Sequence, residues 1–164
     1  MVRDALKPGL IQQVENTIAP GTPDTYYACG GISGWLELKV ANHIPARGTT
    51  SVFKSLNRGM ELEQEAWIYQ CARNGGNANG LVRILNRDFL VPGMVIHSFN
   101  TMSYPEFLQF EVELKDLKAI LKFYATATTG DNHAPDTTLP LRQYSIWYDQ
   151  VRHDFRPSAE GILL

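Results

Sequence analysis

The sequence predicts an α/β fold with a mixed central β-sheet flanked by helices. Three observations predict it. Residues Thr25 to Cys29 and Trp35 to Val40 have strand composition and bracket Gly30-Gly31, a favoured two-residue hairpin turn. Apolar residues at helical spacing stand on either side of that pair, from about Gly9 to Ala19 and from about Leu56 to Arg73. A second pair of short strands, Gly80 to Leu85 and Asp88 to Val91, follows the second helix. The resulting order is helix, two strands, helix, two strands. A chain of 164 residues that is 44% hydrophobic has the size and apolar content for one domain with its own core.

Taken in order, Leu10, Ile11, Val14 and Ile18 define the first helix, which Pro20-Gly21 stops. Glu15 lies off the centre of that apolar stripe and, read alone, is a solvated helix carboxylate. In the long strand, Trp35, Glu37 and Lys39 share one face, and Leu36, Leu38 and Val40 share the other. The leucine face is expected to enter a core. Residues 42–55 are polar, broken by Pro45 and Gly48, and predict a long loop. Its His43 has no carboxylate partner in sequence and reads as surface. Leu62, Trp67, Ile68 and Cys71 give the second helix its apolar face, and Gly75-Gly76 ends it. Asn86-Arg87 turns between the later strands. Met94 to Phe99 suggests a further strand, and Phe107 to Tyr124 a helix capped near Ser103 with Pro105 in its first turn. Residues 125–140 read as loop, and Gln143 to His153 as a last short helix.

The hairpin carries chemistry. If Gly30-Gly31 forms a tight turn, counting outward sets Cys29 opposite Ile32, Tyr27 opposite Gly34, Thr25 opposite Leu36 and Asp24 opposite Glu37. Directly opposed like charges destabilise a strand pair, so a cation is expected between the carboxylates. Mg²⁺ suits them, because it takes one or two carboxylates and keeps waters and phosphate oxygens. Lys39, one step along the same face, would lie beside the metal and hold an attacking water or stabilise charge on a phosphate. Singly, Asp24 reads as a turn residue after Pro23, and Glu37 with Lys39 as a solvated ion pair. The counted register favours the catalytic reading.

At these residues the sequence resembles the PD-(D/E)XK nuclease superfamily, with Pro23-Asp24 followed by Glu37-Leu38-Lys39. Glu15 matches the helical carboxylate that many members use. Gln64, followed by Trp67 and then Gly75-Gly76, resembles the pattern of the virus-type replication and repair nuclease branch, VRR-NUC, which includes phage and Holliday-junction-resolvase-like proteins. The resemblance implies a restriction-endonuclease-like core of αβββαβ type over residues 1–100. Residues 101–164 would be a helical and loop extension packed on that core or used for dimerisation. It further implies Mg²⁺, with Mn²⁺ able to substitute, held by Asp24, Glu37 and the Leu38 carbonyl, with Glu15 as an additional support. Asp24, Glu37, Lys39 and Gln64 would be the catalytic set. The implied activity is hydrolysis of DNA phosphodiester bonds, selective for branched DNA, in a phage-encoded protein.

Composition tempers this. Lys and Arg number 15 against 17 Asp and Glu, a formal charge of -2, unlike the strongly basic balance of many DNA-binding proteins. A few basic residues, Arg47, Lys54, Arg58 and Arg83, are the candidates for backbone contact. No helix-turn-helix, zinc spacing or basic helix is present, so recognition of shape rather than sequence is expected, by a homodimer. The aromatic segment Tyr144 to Val151 is a candidate for that interface. Glu113-Leu114-Lys115 repeats the site triplet, but in a helix its charges diverge and no aspartate precedes it, so it is rejected. Two cysteines without metal spacing, no signal-like start and no long apolar run lead to the expectation of a soluble, cytoplasmic protein, in the host cytoplasm if phage-encoded, with no membrane partner. The rival reading is a non-catalytic protein keeping this fold as a binding, inhibitor or adaptor module.

Overall fold

The computed structural model describes residues 2–14, 20–53 and 59–128. Their order is α1 (Val2–Ala5), β1 (Gly9–Gln13), β2 (Thr25–Cys29), β3 (Ile32–Ala41), α2 (Leu62–Arg73), β4 (Ala78–Ile84), β5 (Arg87–Pro92), a 3-10 segment (Gly93–Thr101), α3 (Tyr104–Phe107), β6 (Glu111–Val112) and α4 (Leu117–Thr128). The strands form one sheet in the order β1-β2-β3-β4-β5-β6. All neighbours are antiparallel except β3 and β4, which run parallel on either side of α2. The sheet is therefore mixed and the fold α/β, as the sequence predicts.

Both faces of the central strands are buried, which is why β4 and β5 read as apolar runs. Val82, Ile84, Phe89 and Val91 point into a core closed by Ile68 of α2 and by Ile96 and Phe99 of the 3-10 segment. Leu81 and Leu90 point to the opposite face, where Leu36 and Tyr27 meet Leu117, Ile120, Leu121 and Tyr124 of α4. The hairpin forms in the counted register, with Cys29 opposite Ile32, Tyr27 opposite Gly34 and Thr25 opposite Leu36. Gly30 and Gly31 both take positive φ, 57° and 84°, as that turn requires.

Five expectations are corrected. Residues 9–13 are a strand, not the start of a helix: β1 pairs with the open side of β2, which leaves Leu10 57% exposed while Ile11 packs against the α4-side core. Residues 15–19, with Glu15, lie outside the described residues. Leucine-face burial is incomplete, since Leu36 is buried while Leu38 and Val40 stay 37% and 53% exposed; α4 covers only the near end of that strand. Residues 93–101 form a 3-10 helix that buries Gly93, Ile96 and Phe99 at its three-residue repeat. The single helix expected over 107–124 is broken, because Glu111-Val112 pairs with β5. Phe107 and Phe110 belong to one core and Leu117 to the other, so the chain crosses the sheet edge between them, which one straight helix cannot do. The later hairpin also turns one residue earlier than expected, at Leu85-Asn86, since Ile84 pairs with Arg87.

Candidate active site

Glu37 is the centre of the site. Strand alternation sends it to the α2 side of the sheet, where its side chain is fully buried. A carboxylate there needs compensation, since burial disfavours its charged form. Three donors supply it: Lys39 Nζ at 2.8 Å and Gln64 Nε2 at 2.9 Å on Oε1, and the Asp24 backbone N–H at 3.2 Å on Oε2. The Glu37 pKa is nevertheless raised, by burial first and also by the nearby charge of Asp24, with the Lys39 ammonium opposing.

The Asp24 N–H contact is the structural outcome of the hairpin register. One residue beyond the last strand pair, Asp24 comes against Glu37 as counted from the turn. The segment before it is held closely: Val14 N–H donates to the Asp24 carbonyl at 2.7 Å, and Gly21, at φ 86°, packs on α2 so tightly that a Cβ there would lie 2.3 Å from the Glu63 carbonyl oxygen. The loop bearing Asp24 and the helical turn bearing Gln64 are thus built against each other.

Gln64 is placed by the start of α2. Its Oε1 accepts from the Glu61 backbone N–H at 3.0 Å and from Lys39 Nζ at 3.2 Å, while its Nε2 donates to Glu37. An ammonium can only donate and a carboxylate can only accept, so the partners fix which way the amide points. Lys39 spends two of its three protons on Glu37 and Gln64, leaving one for a water or phosphate oxygen. Asn100, which no sequence signal singles out, anchors the same turn from the 3-10 segment. It bonds both the N–H and the carbonyl of Met60, at 2.8 and 2.6 Å, and reaches Glu65 at 2.7 Å.

The Asp24 and Glu37 carboxylates and the Leu38 carbonyl are oxygen donors of the hard kind that Mg²⁺ takes. Glu37 fits the role on its Asp24 side, since Oε2 accepts one hydrogen bond while Oε1 accepts two. Among the described residues no cluster of three or more His, Cys, Asp or Glu side chains is placed to hold a metal.

The remaining site residues fall differently. Trp67 packs edge-on to Trp35 at 5.6 Å, at the margin of the core. Arg47 is exposed in the loop after β3. Arg83 engages Asp88 through two bonds of 2.8 and 2.7 Å, so these donors already serve a carboxylate. Lys54, Arg58 and Tyr144 to Val151 lie outside the described residues. The rejected triplet does form a local exposed pair, Lys115 with Glu113 at 2.6 Å, beside a 3-10 turn. No helix among the described residues is long and apolar enough to cross a membrane.

No family model matches the sequence, and no curated protein matches it. Among solved structures the fold is similar to that of Hjc, a Holliday junction resolvase from the archaeal hyperthermophile Archaeoglobus fulgidus, with a TM-score of 0.50 over 71% of this chain and 90% of that one. Sequence identity is 12%, so the likeness is one of fold: a mixed sheet flanked by helices.

Proposed function

We infer that the chain is a metal-dependent endodeoxyribonuclease of the PD-(D/E)XK type, in its VRR-NUC branch, that hydrolyses phosphodiester bonds in branched DNA as a homodimer. The observation that carries this reading is the triangle of the buried Glu37 with the half-buried Lys39 and Gln64, set against Asp24. A solvated ion pair on a strand face has no need of a helix amide bridging both of its members. The fold likeness to a junction resolvase supports the same class of chemistry, and a phage origin accords with the branch.

Asp24, Glu37 and the Leu38 carbonyl would hold Mg²⁺, with Glu15 as a further candidate. The metal would supply charge stabilisation at the phosphate and lower the pKa of a bound water. The chain's own contribution is positional. Gln64 keeps the Lys39 ammonium and the Glu37 carboxylate in fixed relation. Lys39 offers its remaining proton to the attacking water or a non-bridging phosphate oxygen, where a preorganised donor lowers the barrier. Burial of Glu37 strengthens each of these interactions by excluding water. Recognition by shape follows from the few basic groups available, because phosphate contacts report backbone geometry and not sequence.

The test is cleavage of a four-way junction, a flap and plain duplex by purified protein with and without Mg²⁺, alongside native mass measurement. Mg²⁺-dependent cleavage favouring the junction, by a dimer, is expected. A protein that binds DNA without cutting it in Mg²⁺ or Mn²⁺ would instead be a non-catalytic binding module.

A further inference from the structure

The concavity that opens from Asp24 lies away from α2. It has a volume of about 700 Å³ and is lined by Arg3, Asp4 and Lys7 of the N-terminal segment, Ile11 and Gln13 of β1, and Asp24, Thr25 and Leu38. Asp24 belongs both to the carboxylate pair and to the lining of this cleft, so a nucleic-acid strand with one phosphate at the pair has a path into it. Its basic lining differs from the residues the sequence suggests for backbone contact.

Arg3 is exposed and has no ion-pair partner among the described residues. Lys7 is held by Asp4 at 2.8 Å, with both side chains 69% exposed, and an exposed pair of this kind is readily exchanged for another partner. A guanidinium suits phosphate oxygens because its planar fork donates two parallel hydrogen bonds. We propose that this cleft seats the DNA strand flanking the scissile phosphate, with Arg3 binding a backbone phosphate and Asp4 restraining Lys7 from doing the same. The inference rests on the nuclease reading and adds to it the path of the substrate and a residue that weakens binding.

The experiment measures the affinity of a labelled four-way junction by fluorescence anisotropy over a range of salt, without divalent metal, for the natural chain, Arg3→Gln and Asp4→Asn. Each phosphate contact adds nearly one to the slope of log affinity against log salt. Arg3→Gln should weaken binding and lower that slope by about one. Asp4→Asn, by freeing Lys7 and removing a negative charge, should tighten binding and raise the slope. Both substitutions are at exposed positions, and circular dichroism verifies that the fold is kept. Unchanged slopes in both variants, or no binding by the natural chain, would overturn the inference. Cleavage is followed separately with Mg²⁺: cutting by the natural chain alongside unchanged slopes removes this path and keeps the nuclease, whereas altered slopes without any cutting remove the nuclease and the scissile strand with it, and leave the cleft as a DNA-binding surface.

Discussion

Gln64 donates its amide to Glu37 at 2.9 Å while its side-chain oxygen caps the first turn of α2. One residue therefore joins the beginning of α2 to a buried carboxylate on β3. Gln64→Ala should lower cleavage about 10- to 100-fold, the usual cost of removing a partner that orients a metal-binding group. Gln64→Glu should be worse, because it sets a second carboxylate against one already short of compensation. Single-turnover rates at saturating Mg²⁺ provide the check, and equal activity of Gln64→Ala and the natural chain would make the amide a cap and nothing more.

Lys39 and Glu37 separate by their effects on metal binding. Lys39→Ala should reduce the rate by roughly 10²- to 10³-fold, as loss of one transition-state donor does, while Mn²⁺ still binds. It also leaves Glu37 buried without its cation, so the metal-free variant should be destabilised by up to about 3–5 kcal/mol. Mg²⁺ should raise its melting temperature more than that of the natural chain. Glu37→Gln should do the reverse: it removes the buried charge with little change of shape, keeps the fold and abolishes Mn²⁺ binding and cleavage together. Titration calorimetry and thermal melts on both variants make the comparison.

Gly21→Ala tests the joint between the Asp24 loop and α2. The added Cβ would lie 2.3 Å from the Glu63 carbonyl oxygen, on a residue whose φ is 86°. Either feature alone disfavours a side chain, so a loss of more than about 1 kcal/mol is expected, with displacement of Asp24 and weaker Mn²⁺ binding. Urea unfolding with and without metal would show it, and a variant as stable as the natural chain would mean the loop has room to move.

A pH effect is expected at the start of α3. Glu106 is held below its ordinary pKa by the Ser103 hydroxyl and backbone N–H, both at 2.7 Å. A carboxylate whose pKa is depressed on folding stabilises the fold above its unfolded value, about 4.3, and loses that contribution as pH falls through the lower folded value. Urea midpoints for the natural chain and Glu106→Gln should therefore differ most near neutral pH and converge below about pH 4.

The sequence by itself determined the hairpin. Gly30-Gly31 sets a two-residue turn, side chains alternate with period two, and these together place Thr25 opposite Leu36 and carry Asp24 to Glu37. Local rules sufficed because the turn and the strands it joins are adjacent in sequence. Elsewhere the same rules misread the chain. The apolar spacing of residues 9–13 fits a helix, but the unpaired side of β2, more than ten residues later, takes them as a strand. Glu111-Val112 leaves a helical pattern to pair with β5 for the same reason. Only the tertiary structure decided that Glu37 is fully buried, that Gln64 bridges it to Lys39, and that Asn100 anchors the turn carrying Gln64. Those contacts join residues 25 to 40 positions apart. Their partners are chosen by how α2 and the 3-10 segment pack on the sheet, which no spacing within one element can report.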